Sequence, residues 1–140
     1  METLTLKTSI TFKAPITKVW HGLTDPATVK KYFFGTDLKS DWEVGSPITF
    51  SGEWDGHKYE DGGIILDIDE PKLLKYTYWS SMMGLENIPE NYYNITYELS
   101  ESNGVTTLVI TQDGVKNQEA ADHSEQNWKT VFDGLKKIIE

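Results

Sequence analysis

The hydrophobic residues of this chain follow two different periods, and the order of those periods restricts the possible folds. Apolar and polar residues alternate from residue 3 to residue 13 and again from residue 47 to residue 113, which is typical of strands that bury one face. Between these regions, and again from Gln118 to Glu140, apolar residues recur at helical spacing. The sequence therefore predicts an α+β fold in the order strand, two short helices, a run of strands and one long helix.

The two short helices have recognisable boundaries. The first begins after Pro15, and its apolar stripe consists of Ile16, Val19, Trp20 and Leu23. Asp25 and Pro26 are typical of an N-cap and a first helical position, and Gly35 is a typical stop. The second helix is therefore predicted to begin at Pro26 and to end before Gly35.

The region from residue 47 to residue 113 predicts a meander of antiparallel strands. Turn signals separate the strands at Asp55-Gly56, Asp69-Glu70-Pro71 and Asn103-Gly104. The alternation predicts inward-facing side chains at Ile48, Phe50, Trp54, Ile64, Leu66, Ile68, Leu74, Tyr76 and Tyr78. The pair Gly62-Gly63 suggests a bulge, which leaves open whether Tyr59 or Glu60 shares the face of Ile64.

A sheet of about six to seven antiparallel strands must curl, and the last helix has the apolar stripe that can fill its concave face. We find no internal repeat and no linker between segments. The prediction is one domain over residues 1–140, in which a curved antiparallel sheet surrounds a long C-terminal helix.

Charge and composition exclude several classes of function. The net charge is −9, and the 13 basic residues are all lysine. Such a surface argues against nucleic acid and against an anionic membrane as partners. No apolar run reaches the roughly 18 residues that span a bilayer, and the start lacks the layout of a secretion signal, so we expect a cytoplasmic protein. The absence of cysteine excludes disulfides, thiolate metal sites and a cysteine nucleophile.

Several segments carry a resemblance to a known family. The sequence resembles the activator-of-heat-shock-protein-90-ATPase homologue family in order and spacing over essentially the whole chain. The matching segments are Thr11-Phe12-Lys13-Ala14-Pro15, Val19-Trp20, Leu23-Thr24-Asp25-Pro26, Trp42-Glu43-Val44-Gly45-Ser46-Pro47, Leu74-Lys75-Tyr76-Thr77-Tyr78-Trp79, Gly104-Val105-Thr106-Thr107-Leu108, Asn127-Trp128 and Gly134-Leu135-Lys136.

The resemblance implies the START-like helix-grip fold, which polyketide cyclases and plant pathogenesis-related lipid carriers share. The eukaryotic namesake of the family is a two-domain cochaperone, and a domain like this one is its C-terminal half. The half that resembles the main chaperone-binding domain has no counterpart in this sequence. Some stand-alone members resemble small-molecule carriers.

Metal and cofactor sites are not predicted. His21, His57 and His123 lack the second histidine at i, i+4 that a helical zinc motif requires. No phosphate-binding glycine loop or dinucleotide fingerprint occurs. We therefore predict no metal and no cofactor.

Acid-base catalysis would need a carboxylate or a histidine in a desolvated pocket. The candidates are Glu60 and Asp61, beside the glycine pair, with Glu53 behind them. The alternative is that all three lie on a solvated sheet edge, and the sequence leaves open which of Glu60 and Asp61 faces inward. We assign no catalytic residue.

The aromatic residues are better candidates for function. Rings on neighbouring strands and on the last helix should converge, and hydroxyl or indole groups among apolar walls suit a hydrophobic ligand. The irregular segment from Ser80 to Asn91 is predicted to form a rim or lid. The predicted ligand-binding residues are Phe33, Trp54, Tyr76, Tyr78, Met82, Met83, Tyr93, Ile95, Trp128 and Phe132. The structural alternative is that these residues form a filled core.

The sequence thus favours a non-enzymatic protein, monomer or homodimer, that binds a small hydrophobic or aromatic ligand between its sheet and its C-terminal helix. Two alternatives remain. The first is a cochaperone-like interaction module with a chaperone as partner, which would need a contiguous exposed patch. The second is a cyclase-like or hydrolase-like enzyme, which would need a buried carboxylate or histidine facing the cavity.

Overall fold

The computed structural model describes residues 3–33, 35–54, 56–80 and 86–140, and for Trp54 and His57 it describes the backbone alone. The elements are β1 Leu4–Phe12, α1 Ile16–Thr24, α2 Pro26–Tyr32, β2 Asp37–Ser40, β3 Pro47–Trp54, β4 His57–Asp69, β5 Leu73–Tyr78, a 3-10 helix Pro89–Asn91, β6 Tyr93–Ser102, β7 Val105–Val115 and α3 Gln118–Ile139. This order confirms the predicted α+β fold.

In the described part of the chain, seven strands form one sheet in the order β1-β7-β6-β5-β4-β3-β2. Every neighbouring pair is antiparallel. The first strand lies beside the last, with Ser9 opposite Val109. Helix α3 packs against β1, β7, α1 and α2. A curved sheet around a long helix is the helix-grip arrangement that the sequence predicted.

Side chains cap the first turns of α2 and α3, and the sequence predicts the cap at Asp25. The side chain of Asp25 accepts hydrogen bonds from the Thr28 amide at 3.1 Å and from the Thr28 hydroxyl at 2.7 Å. These bonds satisfy the first turn of α2. Asn117 accepts in the same way from the Ala120 amide at 2.8 Å, and α3 then begins at Gln118.

Strand β4 corrects one prediction. Ile64 was predicted to face inward, but it is 44% exposed, and Ile65 is fully buried in its place. Pairing with β3 is regular from Trp54 opposite His57 to Pro47 opposite Ile64, so the glycine pair introduces no shift there. The irregularity lies between Ile65 and Asp67, in the pairing with β5. Ile64 therefore faces the opposite way from the prediction, while Ile68 packs against the core as expected.

The glycine pair has a different role from the predicted bulge. Gly62 has a φ of +140°, and a methyl group there would collide with the carbonyl oxygen of Ile48. A methyl group on Gly63 would collide with Thr77 on the other neighbouring strand. Both residues allow a close approach of backbones where the sheet curves.

Strand β2 was not identified from the sequence. It is four residues long, and Leu38 is its one buried apolar side chain. Two periods of alternation are too short to distinguish a strand from a loop.

The core between α3 and the two short helices is tightly packed. Gly22 of α1 leaves room for Leu135, because a methyl group there would lie 2.7 Å from a leucine methyl. Gly134 of α3 likewise faces Tyr32 of α2, where a methyl group would lie at 3.1 Å. Among the described residues, no helix has the length and apolar character needed to cross a membrane.

Candidate ligand-binding cavity

A cavity of about 470 Å³ lies between the sheet and the N-terminal half of α3. Most of its wall is aromatic or aliphatic, and a smaller set of polar side chains interrupts it. The lining residues are Phe33, Thr36, Phe50, Glu53, Tyr59, Asp61, Tyr76, Tyr78, Ser80, Tyr93, Ile95, Gln112, His123, Ser124, Asn127, Trp128 and Val131. Glu53, His123 and Asn127 are exposed, so they lie where the cavity meets solvent.

The structure brings together six of the ten residues predicted to bind a ligand. These six line the cavity: Phe33, Tyr76, Tyr78, Tyr93, Ile95 and Trp128. Phe132 is buried outside the cavity lining, stacked on Trp128 with ring centroids 5.7 Å apart. Met82, Met83 and the side chain of Trp54 lie outside the described residues.

Aromatic rings converge around Phe50, which faces inward from β3. Phe33 stacks on it with centroids 5.6 Å apart, and Tyr78 meets it edge-on at 5.6 Å. Tyr76 packs at 5.9 Å. Such offset and edge-to-face contacts stabilise ring clusters beyond the area that they bury. The sequence pattern identified Phe50 as inward-facing but did not assign it to the site.

Two tyrosine hydroxyls form a buried pair behind this cluster. The hydroxyl oxygens of Tyr76 and Tyr97 are 2.8 Å apart, and the two residues are 2% and 4% exposed. Burial raises the pKa of both phenols above the usual value of 10. Both therefore stay neutral and protonated at physiological pH, and one hydroxyl donates a hydrogen bond to the other.

Asp61 brings a carboxylate to the cavity wall. It lies opposite Phe50 in the β3–β4 ladder and is 7% exposed, whereas its neighbour Glu60 is exposed on the other face. Asp61, and not Glu60, therefore faces the cavity. The Tyr78 hydroxyl donates a hydrogen bond to Oδ2 of Asp61 at 3.3 Å. Burial, and next the nearby Asp61 charge, raise the pKa of Tyr78 above 10, and a hydrogen bond from Ser80 opposes this shift.

Gln112 provides a second polar position, under α3. It is 2% exposed on β7, and its Oε1 accepts a hydrogen bond from Trp128 Nε1 at 2.9 Å. Its Nε2 lies 3.5 Å from the Ser124 hydroxyl oxygen, to which it donates a long hydrogen bond. The prediction missed Gln112, although a signal existed. It continues the inward parity of Leu108 and Ile110, where a polar residue is unexpected.

A third polar contact joins the connection between α2 and β2 to strand β4. The hydroxyls of Thr36 and Tyr59 are 2.8 Å apart, and Thr36 is buried. Both residues line the cavity. No local pattern pairs them, because two strands, β2 and β3, lie between them in the chain.

The two histidines whose side chains the structure describes lie apart from each other. His21 is exposed on α1, and His123 is exposed at the cavity opening on α3. The side chain of His57 lies outside the described residues. Within the described ranges, no three His, Asp or Glu side chains are grouped so that they could hold a metal ion.

Solved structures of other proteins share this architecture. The solution structure of ChR145 from Cytophaga hutchinsonii has a TM-score of 0.85 and 40% sequence identity, over 99% of this chain and 95% of that chain. The solution structure of the Aha1 dimer from Colwellia psychrerythraea has a TM-score of 0.75 at 19% identity, over 99% and 97% of the two chains. CalU16 from Micromonospora echinospora has a TM-score of 0.73 at 20% identity, over 97% and 76%. The last two likenesses show the fold alone.

No curated protein matches the chain. A family model does match, over residues 13–140, and its description is "Activator of Hsp90 ATPase homolog 1-like protein". The match begins at the end of β1 and includes every later element, so it spans the whole cavity. The chain therefore belongs to the family of activator of Hsp90 ATPase homolog 1-like proteins.

Proposed function

We propose that this protein binds a small, largely apolar or aromatic molecule in the cavity between its sheet and α3, as a carrier or sensor. The observation that carries the proposal is the cavity itself. Its volume of about 470 Å³ falls within the range of roughly 300–1,000 Å³ that is typical of small-molecule sites. Walls of rings with a few polar positions are the usual composition of such sites.

Affinity in this proposal comes mainly from burial of the ligand's apolar surface. Each Å² removed from water contributes about 25 cal/mol. The rings of Phe33, Phe50 and Tyr76 belong to the apolar part of the wall. Polar contacts fix the orientation, with Asp61 and Tyr78 at one position and Gln112 and Ser124 at another.

The experiment is a thermal-shift screen against lipids, flavonoids and polyketides, with intrinsic tryptophan fluorescence as a second readout. A ligand at 100 times its Kd adds about 2.7 kcal/mol of stability, which raises the Tm by several degrees in a domain of this size. Trp128 lines the cavity, so a bound aromatic molecule should quench its emission. Replacement of Trp128 by Phe should remove the quenching but leave the thermal shift of the strongest hits largely intact.

The family's description suggests the competing result. If no small molecule changes the Tm while the protein binds an Hsp90-type chaperone and raises its ATPase rate, the ligand-binding proposal is wrong and the cochaperone-like alternative replaces it.

One observation favours a second candidate, an enzyme of the cyclase or hydrolase type. A carboxylate, Asp61, faces the cavity and contacts a hydroxyl whose raised pKa keeps it protonated. An enzyme would return an altered molecule, whereas a carrier would return the molecule unchanged. Mass spectrometry of each hit after incubation with the protein, and with an Asp61→Asn variant as control, separates the two.

A further inference from the structure

We propose that the ligand carries a protonated amine on an aromatic or aliphatic body, and that Asp61 and the rings around Phe50 recognise the ammonium group. This inference rests on the proposed ligand-binding function and names the chemical class of the ligand.

The first supporting feature is the position of the Asp61 carboxylate. Asp61 is 7% exposed and lies on the cavity wall, in the middle of β4. The Tyr78 hydroxyl donates a hydrogen bond to Asp61 at 3.3 Å, which orients the carboxylate. A carboxylate that faces a largely apolar cavity favours a ligand that brings a positive charge with N–H donors.

The second supporting feature is the arrangement of aromatic rings beside the carboxylate. Phe50 is the direct cross-strand neighbour of Asp61. Phe33 and Tyr78 each pack against Phe50 at 5.6 Å between centroids, stacked and edge-on respectively. Aromatic faces attract ammonium groups through their quadrupoles, and the attraction is larger where water is excluded. The same position therefore offers two interactions that favour a cation.

The third feature is the charge of the lining residues, which favours a cationic ligand over an anionic one. Two acidic residues line the cavity, Asp61 and Glu53, and no lysine is among the described residues that line it. The other lining groups that titrate are tyrosines and His123, which lies at the opening. The chain as a whole carries a charge of −9. An anionic ligand would be repelled both on approach and in the cavity, while a cation would be attracted.

The experiment compares three probes of the same shape and different charge. The cation is N,N-dimethyl-1-(2-naphthyl)methanamine, and its neutral isostere is 2-(2-methylpropyl)naphthalene. The anion is 2-naphthylacetate. Kd values are measured by tryptophan quenching on the full chain at low and at physiological salt. The key quantity is the affinity ratio of amine to isostere, because it cancels the contribution of the naphthyl group.

Asp61→Asn removes the charge with little change in shape, and Glu60→Gln is its matched control, one residue away on the opposite face of β4. We expect the amine-to-isostere ratio to fall by about tenfold or more in Asp61→Asn, the size expected of a charge-assisted hydrogen bond. Glu60→Gln should leave the ratio within about twofold, as expected of an exposed charge. The anion should bind weakest to the unmodified protein.

Each of the following four results would overturn the inference. An unchanged ratio in Asp61→Asn would show that Asp61 does not recognise the amine. If that variant does not fold, the unmodified protein still decides, because an amine that binds no tighter than the anion contradicts the proposal. Binding of the isostere without preference for the amine leaves the cavity function intact, whereas failure of all three probes removes the cavity function as well.

Discussion

The two halves of α3 face the same sheet, but one half packs into a filled core and the other borders a cavity. In the C-terminal half, Phe132, Leu135 and Ile139 are buried against the sheet and the two short helices. The void left there is about 10 Å³. In the N-terminal half, the inward positions hold Ser124 and Trp128 with exposed His123 and Asn127 beside them, and a cavity of about 470 Å³ remains.

The difference shows that the helix-grip arrangement by itself specifies neither a filled core nor a hollow one. Both halves belong to one continuous helix, so the backbone geometry is shared. The C-terminal half is drawn close by Gly22 and Gly134, which admit Leu135 and Tyr32. The N-terminal half places a small polar side chain where the C-terminal half places leucine. Side-chain volume therefore decides where the cavity forms.

The largest expected difference between the halves is in stability. Leu135→Ala should lower the free energy of unfolding by about 2–5 kcal/mol, because Leu135 is fully buried in the filled half and its removal leaves a cavity. Asn127→Ala, at an exposed position of the hollow half, should change it by less than about 0.5 kcal/mol. Urea denaturation measures both, and equal losses in the two variants would contradict the comparison.

The tyrosine pair lies at the boundary between the halves, since Tyr97 packs edge-on against both Trp128 and Phe132. Tyr76→Phe leaves the buried Tyr97 hydroxyl without its partner and should destabilise the protein by about 1–3 kcal/mol. The double variant with Tyr97→Phe should recover part of this loss, because both polar groups are then absent. If the double variant lost as much stability as the two single variants together, the hydroxyls would not be coupled.

Alkaline pH should lower the stability of the protein through the same tyrosine pair. Burial raises the pKa of Tyr76 and Tyr97, so the folded protein keeps protons that the unfolded chain releases above pH 10. The stabilising contribution is complete below pH 10 and is lost as the pH rises from there towards the folded pKa. The slope is about 1.4 kcal/mol per pH unit for each such tyrosine.

Urea midpoints between pH 8 and pH 11 test this prediction. The Tyr76→Phe/Tyr97→Phe double variant is the control, and its stability should fall less steeply above pH 10. Parallel curves for the two proteins would mean that these phenols titrate normally.

The smallest expected change in stability belongs to a variant that fills the cavity. Ser124→Leu adds an apolar side chain to the hollow half but weakens the long contact with Gln112, so stability should change by less than about 1 kcal/mol. Affinity for any hit of the thermal-shift screen should nevertheless fall by about tenfold or more, or 1.4 kcal/mol. Ser124→Ala is the matched control, because it removes the hydroxyl without filling space. If both variants bind equally well, the ligand lies elsewhere.

Local signals predicted much of the fold. The cap at Asp25, the alternation of β1 and the parity of β5 depend on neighbouring residues, and the structure confirms them. The failures have non-local causes. The orientation of Ile64 depends on how β4 pairs with two different neighbours, and a single irregularity reverses it. The inward orientation of Asp61, which the sequence leaves open, depends on the same pairing.

The site was less predictable than the fold. Alternation identifies which strand residues face inward, so it found Tyr76, Tyr78 and Ile95. It cannot distinguish a residue that borders a void from one that packs in a solid core, as Phe132 shows. Gln112 was overlooked because it is a polar residue at an apolar position, although buried polar groups of this kind often mark a functional site.

The order of the strands in the sheet also affects when each strand can pair during folding. Pairing of Ser9 with Val109 joins residues about 100 positions apart, and such contacts form late because the chain must first close a long loop. During synthesis, β1 leaves the ribosome long before its neighbour β7, which is the last of the seven strands in the sequence. The first strand to be made is therefore among the last to be paired.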